Sequence, residues 1–339
     1  MNDFLLCCDW GTSSFRLRLV EMGSSKLIGE ETSGNGINSV FNSWKTNEEA
    51  DKISRINFFR QQLKIQIESL ADKLSFGLQH IPLVISGMAT SSIGMKELPY
   101  ASLPFPIDGK NAKVKFLEAQ ENFPHKLLLI SGIRSANDVM RGEETQLMGL
   151  INILENTYFC TKETVFIFPG THSKHIYMRN SKIVDFHTFI TGEMFSLLSH
   201  YSILKDSIEN PQHLPFTNDE NLEWFKKGIG ASGSSNILNS LFTVRTNHLF
   251  ANLQKVQNFF YLSGLLIGAE LRSLVGQNHV EVVLCSGKNL AQFYQNGLEE
   301  LNLLNRITLI KPELIDRATI AGQVKMYQNL DKNKINKNE

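Results

Sequence analysis

The chain has 339 residues, with 34 Lys plus Arg against 34 Asp plus Glu and a hydrophobic content of 42%. That length suits two domains of ordinary size, and the balanced charge gives no basic field for nucleic acid or an anionic membrane surface. Apolar runs such as Leu127–Ile130 and Leu262–Ile267 are too short to cross a bilayer, no basic leader with a cleavage site opens the chain, and four scattered cysteines supply no disulfide framework, so a reduced, cytoplasmic protein is expected.

In chain order, Phe4–Cys8, Phe15–Met22 and Lys26–Thr32 read as three successive strands, with Gly23–Ser25 as the second turn. Ile53, Ile56, Phe59, Leu63, Ile67, Leu70 and Leu74 then step by three or four and predict a long amphipathic helix. Ile81–Ser86 and Lys126–Ser131 are short apolar runs that end in Ser-Gly, the mark of buried parallel strands whose carboxyl ends face ligand loops. A helix over about Glu143–Leu154 closes this half.

The opening pattern then returns. Thr164–Phe189 reads strand, turn, strand, turn, strand, and its first turn is Gly170-Thr171-His172-Ser173, matching Gly11-Thr12-Ser13-Ser14 as G-T-x-S. Helices follow around Glu193–Leu204, Glu220–Lys227, Ser234–Phe242 and Phe259–Val275. His279–Gly287 is a further buried strand, followed by a helix to about Leu301, a strand at Arg306–Lys311 and a terminal helix led by Pro312 and Glu313. Strands alternating with helices in each half argue for two α/β domains with a cleft between them, at residues 1–155 and 156–330, with 331–339 a frayed polar tail.

The two turns carry more backbone N–H and hydroxyl capacity than a hairpin needs. Glycine lets the backbone approach a phosphate, and one turn could hold the β-phosphate and the other the γ-phosphate of a nucleotide. Asp9, at the lip of the first turn, suits a hydrated Mg2+, which needs few protein ligands; its plain alternative is an Asx-turn. Arg16 and Lys174 could add positive charge, Lys174 being otherwise a solvated strand residue.

"DWGTSSFRLRL" resembles the first phosphate motif of the sugar kinase, actin and heat-shock ATPase superfamily, "FPGTHSKHI" the second, and "VVLCSGKNLAQFYQNGLEE" the adenosine motif. Within it, "ISGMATSSIGMKELPYASLPFP", "SGIRSANDVMRGEETQLMG" and "PGTHSKHIYMRNSKIVDFHTFITGEMFSLLS" are similar to the 2-dehydro-3-deoxygalactonokinase family, over Leu5 to about Leu330. The adenosine motif has one glycine, Gly287, where relatives often have two. The resemblance implies two actin-like, ribonuclease H-like domains, each a five-stranded mixed sheet with flanking helices, hinged over an ATP cleft. It implies ATP-dependent phosphorylation of 2-dehydro-3-deoxy-D-galactonate to its 6-phosphate, in galactonate breakdown.

On that reading Gly11, Thr12, Ser13, Arg16, Gly170, Thr171, His172, Ser173, Lys174 and Gly287 bind ATP, and Asp9 holds Mg2+. No carboxylate accompanies the second glycine turn, so the base must come from elsewhere, and Asn137–Gln146 is the best source. Asp138, in an irregular loop, is preferred there, with Glu143 next; the plain alternative for Glu143 and Glu144 is first-turn carboxylates opposing a helix dipole. Arg134 offers a fork for the substrate carboxylate, with Arg141 second or reaching the γ-phosphate. Gly87 and Met88 end a strand at the same level. Thr191 reads foremost as a helix cap, and Glu193 as opposing the dipole or binding sugar hydroxyls.

Other signals are set aside. "GIGASG" (Gly228–Gly233) follows a helical stretch and reads as a loop or helix end, not a dinucleotide fingerprint. His172, His175 and His187 lack companions for a metal site. A kinase for another sugar acid or amino sugar, or a polyphosphate hydrolase, remains open on the same fold. A sugar-sensing regulator lacks room for a DNA-binding element before the first strand. The partners expected are ATP and a sugar acid, with no nucleic acid or membrane, and a homodimer stays open.

Overall fold

The computed structural model describes residues 3–47, 53–155, 158–211, 216, 219–234, 236–250 and 253–335, and every absence or count below refers to these. The chain divides into two compact units: Met1–Thr157 with Ser181–Val184 and Leu314–Glu339, and Tyr158–Asn180 with Asp185–Glu313.

The first unit opens with β1 (Phe4–Trp10), β2 (Phe15–Glu21) and β3 (Lys26–Ser33), then α1 (Ile37–Lys45) and α2 (Arg55–Leu74). Next come β4 (Leu83–Gly87), β5 (Ala101–Ser102), β6 (Phe105–Pro106), β7 (Val114–Leu117), β8 (Leu127–Ile130), β9 (Ile133–Arg134), β10 (Val139–Met140) and α3 (Glu143–Leu154). Its main sheet has the order β3-β2-β1-β4-β8-β7. The Ser-Gly-ended run at β4 and the neighbouring β8 are fully buried and parallel to β1, as their unbroken apolar character requires. β7 adds a sixth, antiparallel strand at the edge. Leu6, Cys8 and Trp10 of β1 alternate onto the face covered by Phe59, Leu63, Ile67 and Leu70 of α2. Ser54 starts α2, its side chain accepting from Asn57 N, and Ser75 ends it in the left-handed region.

The second unit contains α4 (Tyr158–Thr161), β11 (Thr164–Phe168), β12 (Ser173–Arg179), the part of β13 (Lys182–Phe189) from Asp185 onward, α5 (Thr191–Tyr201), α6 (Asp219–Ala231), α7 (Ile237–Phe250) and α8 (Lys255–Leu271). β14 (Glu281–Leu284), α9 (Lys288–Glu300) and β15 (Ile307–Leu309) complete it. Its strand order, β15-β14-β11-β12-β13, repeats β8-β4-β1-β2-β3 of the first unit, with β15, β14 and β11 parallel and β11 and β12 antiparallel, as are β8, β4, β1 and β2. The recurrence of G-T-x-S therefore reports a five-strand repeat. "GIGASG" forms the end of α6: a side chain on Gly228 would collide with Tyr261 O, and one on Gly264 with Phe225 O, so these glycines let α6 and α8 pack backbone to backbone.

The chain ends with α10 (Pro312–Ile335); residues 336–339 of the polar tail lie outside the described residues. From Leu314 this helix belongs to the first unit. Gly149 of α3 and Gly322 of α10 leave no room for a methyl group against Ala318 O and Thr145 O respectively. Gln323 then donates to Cys8 O (2.7 Å) and Ser86 Oγ (2.8 Å), fastening α10 to β1 and β4.

Candidate active site

The first turn is held from beneath by a helix. Gly11 N donates to Ser14 O (2.9 Å), and the head of α1 reaches the turn's carbonyls, Ile37 N to Gly11 O (3.0 Å) and Asn38 N to Thr12 O (3.1 Å). Gly36 makes this approach possible, since any side chain there would strike Thr12 O and Ser13. Buried Trp10 donates its indole N–H to Asn35 O at 2.9 Å. Thr12, Ser13 and Ser14 are left facing solvent on a fixed backbone.

Asp9 sits at the end of β1, opposite Arg16 of β2 and Ser86 of β4. Burial pushes its carboxyl up, and the charges of Arg16 and Arg18 oppose that shift. Gly87 (φ +87°) lies against it: a methyl there would stand 2.7 Å from Trp10 O and 3.3 Å from Asp9 Oδ1. Gly142 (φ +111°) packs in turn over Gly87, where a methyl would stand 3.4 Å from Gly87 Cα. The head of α3 is thus brought against Gly87, the glycine that borders Asp9. Glu143 there is half-buried and Glu144 is buried, accepting from Gly142 N (2.8 Å) and Thr145 Oγ1 (2.9 Å). Burial, and then the neighbouring Glu143, raise the Glu144 pKa to about 7.

The other residues singled out in this unit are placed less centrally. Asp138 lies in the Ser135–Asp138 turn joining β9 to β10, its amide donating to Ser135 Oγ (3.0 Å). Arg134 is exposed on β9, and Met88 is half-buried just after β4. Arg141 is a staple: it donates to Thr90 Oγ1 (2.7 Å), Ser131 Oγ (3.3 Å) and Leu98 O (3.2 Å), with its guanidinium 3.9 Å from the Tyr100 ring centre. Arg16 stands 3.9 Å from Glu30, which is held more tightly by Arg18 at 2.5 Å.

The second turn is braced in the same manner. Glu193 N, in the first turn of α5, donates to Thr171 O at 3.0 Å. A methyl on Gly192 would stand 2.6 Å from Gly170 O, so this glycine plays the part of Gly36. Thr171 and His172 are exposed, and His172 Nε2 meets Glu193 Oε2 at 2.7 Å. Ser173 is fully buried and donates to Glu270 of α8 (2.6 Å), so its hydroxyl is turned inward from the exposed part of the loop. The capping role expected of Thr191 is not found: it is the first helical residue, and its hydroxyl donates instead to Glu270 (2.5 Å). Lys174 is not a solvated strand residue either; it is buried and donates to Thr188 Oγ1 at 2.6 Å. His175 and Tyr294 complete the set around Glu270, at 3.0 and 2.8 Å.

Glu270, Tyr294, Gly36 and Gly192 were absent from the sequence-based candidates. A signal for Glu270 exists, as it is the one charged residue in the apolar run Val256–Leu271. Beside this network lies a cavity of about 190 Å3 walled by Phe195, Phe259, Leu266, Leu290 and Phe293, with Gly170 and Thr191 also in its lining. Gly287 is the exposed residue preceding α9, which contributes Leu290 and Phe293 to that wall. Among the described residues no group of three or more His, Cys, Asp or Glu side chains forms a metal cluster, and no helix is long and apolar enough to cross a membrane.

Comparison with known proteins agrees with this anatomy. A sequence model of the family described as 2-keto-3-deoxy-galactonokinase matches residues 9–326. A 2-dehydro-3-deoxygalactonokinase of Escherichia coli (strain K12) is 30% identical over 227 residues, covering 65% of this chain and 71% of the relative. A protein of Rhizobium meliloti (strain 1021), named as a probable 2-dehydro-3-deoxygalactonokinase, is 27% identical over 303 residues, 87% of this chain and 89% of its own length. The crystal structure of a Sinorhizobium meliloti protein provisionally given the same name superposes with a TM-score of 0.73 at 23% identity, covering 95% of this chain and 96% of that one, which shows the shared fold. With both braced glycine turns inside the matched span, the chain belongs to the 2-dehydro-3-deoxygalactonokinase family.

Proposed function

We propose that this chain transfers the γ-phosphoryl group of ATP to the terminal hydroxyl of 2-dehydro-3-deoxy-D-galactonate, giving the 6-phosphate and ADP. The observation that carries this reading is the family match over residues 9–326, which takes in both turns. Phosphoryl transfer is catalysed mainly by positioning and by stabilising charge on the transferred group. Two turns whose backbones are fixed by packed helix heads supply preset N–H donors for that purpose.

Asp9 fits a hydrated Mg2+, because Gly87 leaves the space beside its Oδ1 that a side chain would fill. Such an ion, bound to the nucleotide phosphates, would neutralise charge there. Glu143 is the better base on geometry: it follows Gly142, which packs on Gly87, the glycine beside Asp9, whereas Asp138 belongs to a separate hairpin turn. Its carboxylate takes the hydroxyl proton as the new O–P bond forms and the bond to the leaving ADP breaks. Exposed Arg134 suits the substrate carboxylate better than Arg141, whose terminal nitrogens hold Thr90, Ser131 and Leu98. The apolar cavity beside Gly170 suits the flat face of the nucleobase.

A coupled ATP-consumption assay across a panel of sugar acids tests this. Turnover should require the acceptor and favour the galactonate-derived keto acid over its gluconate-derived epimer. ATP hydrolysis at the same rate without acceptor would replace the kinase with a hydrolase. Glu143→Gln should lower kcat by about 10²-fold or more, while Asp138→Asn stays within about threefold of the parent. The reverse ranking would move the base to Asp138.

A further inference from the structure

We propose that Glu270 is the positioning residue of the second phosphate turn, one buried carboxylate that fixes both the end of the turn and the head of the helix bracing it. The proposal rests on the reading of Gly170–Ser173 as a phosphate-binding turn. Glu270 is 2% exposed. Its Oε1 accepts from Ser173 Oγ (2.6 Å) and His175 Nε2 (3.0 Å), and its Oε2 from Thr191 Oγ1 (2.5 Å) and Tyr294 Oη (2.8 Å). An ionised carboxylate has about four acceptor positions, so this one is saturated. The His175 tautomer follows, with Nε2 carrying the proton.

The donors come from β12, α5 and α9, and they converge on the turn by two routes. Ser173 is the last residue of the turn and is held directly. Thr191 heads α5, whose next two residues touch the turn: Gly192 lies against Gly170 O, and Glu193 N donates to Thr171 O. Both ends of the loop are therefore referred to one carboxylate. Tyr294 carries the connection to the wall of the apolar cavity, which it lines together with Thr191.

Burying a carboxylate carries a large desolvation cost, and an apolar residue would fill the space between helix and strand without it. What a saturated charge adds is a single allowed geometry, since every displaced donor leaves buried charge uncompensated. The Tyr294 phenol, held well above its usual pKa by burial and by the Glu270 charge, stays a donor throughout the working pH range.

The test is the dissociation constant of MgATP, measured by calorimetry without any sugar acid, for the full chain and for Glu270→Gln, Tyr294→Phe and the double variant. Glu270→Gln turns an NH2 group toward two of the four donors and should weaken MgATP binding about tenfold, as expected for losing charge-assisted bonds, with melting temperature nearly kept. Tyr294→Phe, the gentler change, should weaken it about threefold, and the double variant should fall short of the product because both act through one carboxylate. The KM for the sugar acid should stay unchanged in all three, whereas loss of folded protein would lower apparent kcat and leave both KM values alone. Wild-type MgATP affinity in folded Glu270→Gln, or independent effects in the double variant, would overturn the assignment alone. A wild-type chain that binds no MgATP would overturn the phosphate-turn reading beneath it.

Discussion

At Glu144 the fold favours the protonated carboxyl. Burial, reinforced by Glu143, places its pKa at about 7, above the ordinary value of 4.5. Between those values the unfolded chain has released a proton that the native chain keeps, so stability falls as pH rises from about 4.5 to about 7 and then levels off. Glu144→Gln removes that dependence. Melting temperatures at pH 5 and pH 8 should shift in favour of the variant at the higher pH, and parallel profiles for the two proteins would exclude Glu144 as the source. The pair Glu143–Glu144 was readable as helix-head carboxylates, but which of the two is buried depends on how α3 meets Gly87 and α10. Thr191 shows the opposite failure. Threonine before a helix reads as a cap, yet a buried carboxylate 79 positions along the chain accepts its hydroxyl hydrogen bond, and no local pattern reports that.

Helix heads are what make the two turns alike. α1 through Gly36 and α5 through Gly192 each place a glycine against the turn, α1 donating two backbone N–H groups to its carbonyls and α5 one. Gly36→Ala and Gly192→Ala should each cost on the order of 1–3 kcal/mol, as overpacking does, and raise the KM for ATP more than that for the sugar acid. Gly23→Ala, which meets nothing within 4 Å, should leave both stability and kinetics unchanged. Urea titration and steady-state kinetics check all three, and an equal effect at Gly23 would refute the steric account. The G-T-x-S strings were legible because strand periodicity framed them. Their supports were not, because Gly36 and Gly192 acquire meaning only when a helix arrives from elsewhere in the chain. The buried strands β4, β8, β11 and β14 were legible from unbroken apolar runs. Helix α1, nine residues rich in Asn and Ser, and the two-residue strands β5, β9 and β10 show too little periodicity to be seen.

At the level of the whole molecule, neither unit is a continuous stretch of chain. The first is completed by residues from Leu314 onward, where Gly322 packs against α3 and Gln323 joins β1 to β4. A fragment of residues 1–155 should therefore be unfolded or molten by circular dichroism, and adding a peptide of residues 312–335 should restore native signal. A cooperative thermal transition in the fragment alone would show that α10 is dispensable.

Thiol accessibility carries a further consequence. Cys7 and Cys8 in the first unit and Cys285 in the second are buried and held far from the thiolate form by desolvation, while Cys160 alone is half-exposed. An alkylating reagent applied to the native enzyme should mark one position, and each added mark records an opening event. Because those marks fall on distinct peptides from each half, mass spectrometry of a timed pulse would tell which half of the molecule breathes first.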